Sequence, residues 1–309
     1  MKSAGRERGS AADPLASYIK GDYMNIAVAS GKGGTGKTTV ATNLAYVASR
    51  DGRSVVYVDC DVEEPNGHIF LKPEIAETRP VGASVPVVDD ERCTHCGKCG
   101  EICQFSAIVS IGKRVLTYPG LCRACGGCAL VCPADAIREV QRETGKVESG
   151  NAGPIHFVHG SLHVGEAMSP PVIKAVKAAA PKTELAILDA PPGTSCPVIA
   201  SIRDCDFLLL VTEPTPFGLH DLKLAVRLAR ALGKAFGVVI NRAGLGDDSV
   251  GSYCRSEGVP ILAEIPDDRR VAEAYSRGEL ICEAVPGYAA LFEDLLEQVR
   301  AASRKGAGA

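Results

Sequence analysis

Residues 31–38 read GKGGTGKT, preceded by the apolar run MNIAVAS and followed by TTVATNLAYVASR, which contains no helix breaker. That order dictates a strand, a glycine-rich turn and a helix over Lys37 to Arg50. The glycines let consecutive backbone N–H groups face an anion, and the helix N-terminus adds its positive end, so the turn is built to hold phosphate. Gly31, Gly33, Gly34, Thr35, Gly36, Thr38 and Thr39 are therefore expected around ATP, with Lys37 on the outer phosphates and the Thr38 hydroxyl offered to Mg2+.

The rest of the chain keeps the same rhythm. SVVYVD, ELAILDA, DFLLLVT, AFGVVIN and PILAEIP are short continuous apolar runs, and LHDLKLAVRLARALG and YAALFEDLLEQVRAAS have helical periodicity. Strands apolar on both faces and separated by helices imply an α/β fold, a doubly wound and mostly parallel sheet. At 309 residues and 46% hydrophobic content there is material for one large and one small domain. The net charge of -3 supplies no global positive field for a phosphate backbone. No run suits a membrane span or a signal peptide, so neither nucleic acid nor a membrane is expected as partner, and the expected location is cytoplasmic. The polar ends, 1–22 and 303–309, are read as disordered tails.

The rhythm breaks between 84 and 146. Eight of the thirteen cysteines lie there, in two similar segments, CTHCGKCGEICQFSAI and CRACGGCALVCPADAI. Each has the form CxxCxxCxxxC, the spacing of bacterial two-cluster ferredoxins, in which the fourth cysteine of each run serves the other cluster. One [4Fe-4S] cluster is accordingly expected on Cys93, Cys96, Cys99 and Cys132, the other on Cys122, Cys125, Cys128 and Cys103. Zinc, the alternative, usually takes two CxxC pairs, not paired runs of four. Pro133 follows the second run, whereas Gln104 follows the first and departs from the pattern. The expected organisation is a nucleotide domain at 23–83 and 147–302, interrupted at 84–146 by a small α+β ferredoxin-like domain.

KGGTGKTT, VDCDVEEPN and LDAPPGTS resemble the MinD/ParA/Mrp and nitrogenase iron-protein ATPases, over nearly all of 24–300 outside the insertion. The resemblance implies that Lys32 reaches across a dimer to the partner's nucleotide and that Asp61 orients or activates the attacking water. It also implies that Asp59 supports magnesium and that Asp189 and Gly193 sense the γ-phosphate. Carboxylates ending parallel strands can instead cap helices, although strand ends are also where such sheets bind ligands. VVINRAG resembles the family's base-recognition segment, with Asn241 on adenine, and Pro266 and Asp267 fit the nucleotide rim.

Five cysteines stand alone. Cys60, Cys205, Cys254 and Cys282 read as small core residues. Cys196 lies seven residues after Asp189, the offset at which the nitrogenase iron protein places a cluster ligand, and it is read first as a packing residue, second as a ligand of a cluster shared by two subunits. His156, His159 and His163 read as scaffold. The C-terminal helix is expected not to bind membranes, because Glu293, Asp294 and Glu297 give it an acidic polar face.

The expected function is an ATPase whose nucleotide state controls electron transfer or cluster handling, as an ATP-dependent homodimer or heterodimer with a paralogue. Its further partner would be a redox protein or an apo-acceptor. Two alternatives are a cluster carrier resembling Mrp and a positioning ATPase of the MinD/ParA kind with redox-sensing clusters.

Overall fold

The computed structural model describes residues 23–306; the tail expected at 1–22 and residues 307–309 lie outside them. The chain order is β1 (Met24–Ala29), α1 (Lys37–Arg50), β2 (Val55–Asp59), α2 (Gly67–Leu71), β3 (Glu74–Val88), α3 (Lys98–Ile102), β4 (Ile108–Ile111), β5 (Arg114–Thr117) and α4 (Gly127–Leu130). It continues through β6 (Ile137–Ala152), β7 (Ile155–Leu162), α5 (Pro170–Ala179), β8 (Leu185–Asp189), α6 (Cys196–Ile202), β9 (Phe207–Thr212) and α7 (Pro216–Ala231). Last come β10 (Ala235–Ala243), α8 (Ser249–Ser256), β11 (Ile261–Pro266), α9 (Arg269–Ser276), α10 (Ile281–Ala284) and α11 (Tyr288–Gly306).

Nine strands form one sheet in the order β11-β10-β9-β1-β8-β2-β7-β6-β3. From β11 to β7 every pairing is parallel, and β6 and β3 add on antiparallel. Alternation along the central strands sorts their side chains onto two faces. Ile26, Val28, Val55 and Tyr57 join α1 and α11 in one core, where Phe292, Leu295 and Val299 are buried. Ala27, Val56 and Val58 join α5, α6 and α7 in the other. The doubly wound sheet expected from the apolar runs is thus observed, and the C-terminal helix spends its apolar face on the core. Among the described residues no helix is long and apolar enough to cross a membrane.

α11 also corrects one expectation. It continues to Gly306 and so takes Ser303–Gly306 out of the tail expected at 303–309. No glycine or proline interrupts the helix before Gly306, and Arg304 in the last turn complements the helix dipole.

The antiparallel edge is less ordinary. β3 and β6 pair from Glu74↔Asn151 to Val88↔Ile137, whereas β7 covers β6 only from Gly145 to Ala152. The free stretch Ile137–Thr144, at about 3.3 Å per residue, carries a two-stranded ribbon roughly 25 Å past the sheet. Positions 84 and 146 lie inside these two strands. Residues 89–136, with both cysteine runs, hang from the ribbon's end.

Close approach fixes where this edge tolerates side chains. A Cβ on Gly150 would fall 1.9 Å from the Glu74 carbonyl oxygen of the paired strand, whereas one on Gly120 meets nothing within 4 Å. Gly150→Ala is expected to cost about 1–3 kcal/mol, as overpacking does, and Gly120→Ala less than about 0.5 kcal/mol. Urea midpoints at a common m-value measure both, and equal midpoints would contradict the ribbon's register.

Candidate functional site

The carboxyl ends of β1, β2 and β8 lie side by side, because Val28 pairs with Asp189 and Asp189 with Asp59. The turn after β1 arches over these ends. Lys37, the first residue of α1, points back into them, its Nζ 2.5 Å from Asp189 Oδ1 and 3.8 Å from Asp61 Oδ2. Asp189 and Asp59 are completely buried and Lys37 nearly so. Asp59 accepts the backbone N–H groups of Asp61 at 3.1 Å and Gly67 at 3.0 Å. Tyr57 donates its hydroxyl to Asp189 Oδ2 at 2.9 Å.

Three carboxylates therefore surround one ammonium. Burial raises Asp59 first and the charge of Asp189 adds to it; Lys37 and the two N–H bonds oppose them, and the result is a group pushed up to about 8. Burial likewise lifts Asp61 to about 6 against the pull of Lys37. Burial would lower Lys37, but Asp189 and Asp61 outweigh it and hold the ammonium above its ordinary value.

Beside this cluster opens a cavity of about 440 Å³, lined by Gly33, Gly34, Gly36, Lys37, Thr38 and Thr39 on one side. Asn241, Pro266 and Asp267 line the other side, and Asp61 reaches in from the loop after β2. Its size suits a small ligand. No side chain caps α1 and its first turn holds no acid, so its leading N–H groups and positive end face the cavity. The loop is held from behind: Asn241 Nδ2 donates to the Thr35 carbonyl at 2.8 Å, and a Cβ on Gly36, whose φ is 87°, would lie 2.2 Å from that nitrogen.

Some expected site residues stand off the cavity. Thr35 is buried, and Gly31 packs on α7, where a Cβ would strike the Asp221 carbonyl at 2.4 Å. Asp59 and Asp189 sit behind Asp61 and Lys37. Gly193, at φ 95°, donates to the Ser30 carbonyl, and its neighbour Pro192 lines the cavity instead. Lys32 turns away to Glu213, Nζ to Oε2 3.6 Å, while Arg242 holds the other oxygen of Glu213 at 3.1 Å. Tyr57, Asn66, Glu213 and Tyr275 also belong to the site and were not among the residues expected from sequence. A tyrosine inside an aliphatic strand was the available signal for the first, since a buried hydroxyl needs a partner.

The cysteines group into two further cavities. One is lined by Cys93, Cys96, Cys99 and Cys132 with Val88, Val115 and Ile137; the other by Cys103, Cys122, Cys125 and Cys128 with Pro86, Ile102 and Phe105. The backbone repeats with the sequence at an offset of 29 residues: His95 and Ala124, Gly97 and Gly126, Ser106 and Asp135 all have positive φ. Backbone N–H groups of Ala107 and Ala136 reach the sulfurs of Cys103 and Cys132 at 3.3 Å. Burial raises the Cys103 thiol, but four backbone N–H groups more than offset it and hold it below its ordinary value. Among the described residues no three His, Cys, Asp or Glu side chains are gathered for a single metal ion.

Cys60, Cys205, Cys254 and Cys282 are buried, as small core residues should be. Cys196 is exposed, which corrects its reading as a packing residue. α6 buries Val198, Ser201 and Ile202, and Cys196 precedes that stripe by two residues, about 200° around the helix. His159 and His163 bond Glu148 and Glu143 separately.

A protein-family profile described as the CobQ/CobB/MinD/ParA nucleotide binding domain matches residues 26–281. An uncharacterized protein of Methanocaldococcus jannaschii is 31% identical over 91% of this chain and 98% of its own length. An iron-sulfur cluster carrier protein of the same organism is 24% identical over 89% of this chain and 84% of its own. In fold, the septum site-determining protein MinD of Pyrococcus horikoshii, complexed with Mg-ADP, aligns with a TM-score of 0.55 and 23% identity, covering 90% of this chain and 96% of that one.

Replacing Lys37 by Met leaves Asp59, Asp61 and Asp189 without their cation. By analogy with other broken buried ion pairs, the expected loss for the nucleotide-free protein is about 3–5 kcal/mol at pH 8. A carboxylate raised in the folded state costs stability as pH rises through its folded value, so the loss should shrink as pH falls first through about 8, where Asp59 takes up its proton, and then through about 6, where Asp61 follows. Urea denaturation of both proteins at pH 8 and pH 5.5 measures this; an equal loss at the two values would contradict the charge argument.

Proposed function

The chain belongs to the CobQ/CobB/MinD/ParA nucleotide-binding family, and from that premise we propose that it is an ATP-hydrolysing protein whose nucleotide state controls electron transfer or cluster handling at two [4Fe-4S] clusters. The observation that carries the second half is the division of the eight cysteines. Two complete sets of four line two separate cavities, and each set draws its fourth sulfur from the other run. The donors suit the group: soft thiolates, positive-φ turns that wrap it, and backbone N–H groups aimed at sulfur. When bound, such clusters supply one-electron chemistry. Residues 84–146 then act as a ferredoxin-like insertion carried by the β3/β6 ribbon, and 23–83 with 147–302 as the nucleotide domain.

At the nucleotide end, Lys37 and the α1 N-terminus would hold the ATP phosphates and Thr38 would ligate Mg2+. Asp61, which lines the cavity, would orient the attacking water, with Asp59 and Asp189 behind it. Asn241, Pro266 and Asp267 would bound the base. In the monomer Lys32 rests on Glu213 outside the phosphate cavity, which supports a role toward a partner subunit's nucleotide in an ATP-dependent dimer. The exposure of Cys196 supports its alternative reading, a ligand to a cluster shared across that dimer. The dimer would serve a redox partner protein in the cytoplasm. A cluster-carrier role is the second reading, favoured by the relatives so named; rapid transfer of iron to an apo-acceptor would select it.

Protein purified anaerobically from its native host is expected to contain about eight iron atoms per chain, the content of two cubanes. Cys99→Ser should remove about half of them. Stoichiometric zinc with no iron would refute the cluster reading.

Magnesium-dependent ATP hydrolysis is expected to be slow. Lys32→Ala should leave ATP affinity unchanged and lower turnover by about tenfold or more, since a charge contributed in trans at the phosphates acts on the transition state. Unchanged turnover by a strictly monomeric protein would defeat the dimer mechanism.

A further inference from the structure

Tyr57 is the only residue of β2 with both an aromatic ring and a polar atom; it is completely buried, and its neighbours in the strand, Val55, Val56 and Val58, are aliphatic. Its ring is fixed from two sides. It stacks on Phe157 of β7 with centroids 5.7 Å apart and planes at 14°, and Gly67 closes the other side so tightly that a Cβ there would lie 2.4 Å from the hydroxyl. The hydroxyl so fixed donates to Asp189 Oδ2 at 2.9 Å, while Lys37 holds Oδ1 at 2.5 Å.

These two contacts differ in one respect. Lys37 also lines the phosphate cavity, so a bound nucleotide competes for its ammonium. Tyr57 lies outside that cavity's lining and has no such competitor. When Lys37 turns to phosphate, a fully buried carboxylate keeps one side-chain donor, the phenol. Burial, with the charges of Asp189 and Asp59, holds that phenol well above its ordinary value, so it stays a donor throughout.

Resting on the ATPase reading above, we propose that Tyr57 is a positioning residue for ATP hydrolysis: its hydroxyl holds the Asp189 carboxylate in one orientation after Lys37 has moved to the nucleotide. It transfers no proton and touches no substrate. The expected consequence is selective, because the orientation of Asp189 matters most where charge develops on the γ-phosphate, and less for ground-state binding.

The test is Tyr57→Phe in the full chain, which removes the hydroxyl and keeps the ring. Turnover should fall by about tenfold or more, the size of effect seen when a supporting hydrogen bond behind a site is lost, with KM for ATP within about twofold of wild type. Affinity for Mg·ADP with aluminium fluoride should fall by the same factor as turnover, and affinity for Mg·ADP alone should hold. Unchanged turnover and unchanged aluminium fluoride binding would overturn the proposal; so would a loss of Mg·ADP affinity in step with turnover, the mark of general damage. Should Tyr57→Phe fail to fold, Phe157→Leu keeps the hydroxyl but frees the ring, and the same pattern at smaller amplitude is expected, with no change overturning it. A wild-type chain that binds Mg·ADP without hydrolysing ATP would sink the ATPase reading, while the aluminium fluoride comparison would still decide Tyr57.

Discussion

Burying a carboxylate without a partner costs several kcal/mol, and this fold brings three to one place around a single ammonium. Lys37 can serve that role only because α1 begins where β1 ends and because β8 lies between β1 and β2, which sets Asp189 beside Asp59 in the parallel register. The imbalance is local. Two backbone N–H groups hold Asp59, one phenol holds Asp189, and Asp61 keeps one side to the cavity. A nucleotide that draws Lys37 away, and a magnesium ion that arrives with it, exchange one cation for another beside the same acids. The phosphate cavity and the acid cluster are therefore one electrostatic unit, with Lys37 common to both.

How far this could be read from residues alone depended on whether the determinants were contiguous. The phosphate turn, the helix over Lys37–Arg50 and the six apolar strand runs are local patterns, and each appears in the structure where its pattern stands. The two cysteine runs were also contiguous, and the cavities they line follow the crosswise sets. Tyr57 and Glu213 were missed for the opposite reason: their partners, Asp189 and Lys32, are well over a hundred residues away in sequence and meet them only through sheet register. The ribbon was missed because β6 is polar along most of its length and β3, punctuated by Pro80, Gly82 and Pro86, reads as broken sequence and not as one strand. Cys196 was legible in principle, since the helical period places it off the buried stripe of α6.

The ribbon decides how the two parts of the molecule can be related. β3 and β6 are full members of the sheet at one end and the support of the cysteine-bearing segment at the other, so the connection is two hydrogen-bonded strands and not a flexible linker. Contacts across the ribbon's base stiffen it further. Arg142 of β6 forms a two-pronged pair with Glu166 in the loop after β7, and Arg123, beside Cys122, donates to the Ala167 carbonyl of the same loop. That loop leads into α5, which packs on α6, the helix that begins at Cys196.

A second line of contact runs through the sheet itself. Asp189 is bonded to Tyr57, Tyr57 stacks on Phe157, Phe157 meets His159, and His159 bonds Glu148 of β6, 11 residues from Ile137 beside the first cysteine cavity. Adjacency of this kind transmits nothing unless one end has two states. Under the proposed ATPase reading Lys37 would supply them, its ammonium on Asp189 without nucleotide and on phosphate with it. A change at that end bears first on the orientation of Asp189, whose other oxygen is tied to the aromatic file. The sheet edge that receives the file is the strand from which the cysteine segment is suspended, so the fold gives the nucleotide site a mechanical neighbour in the ribbon and not a separate body.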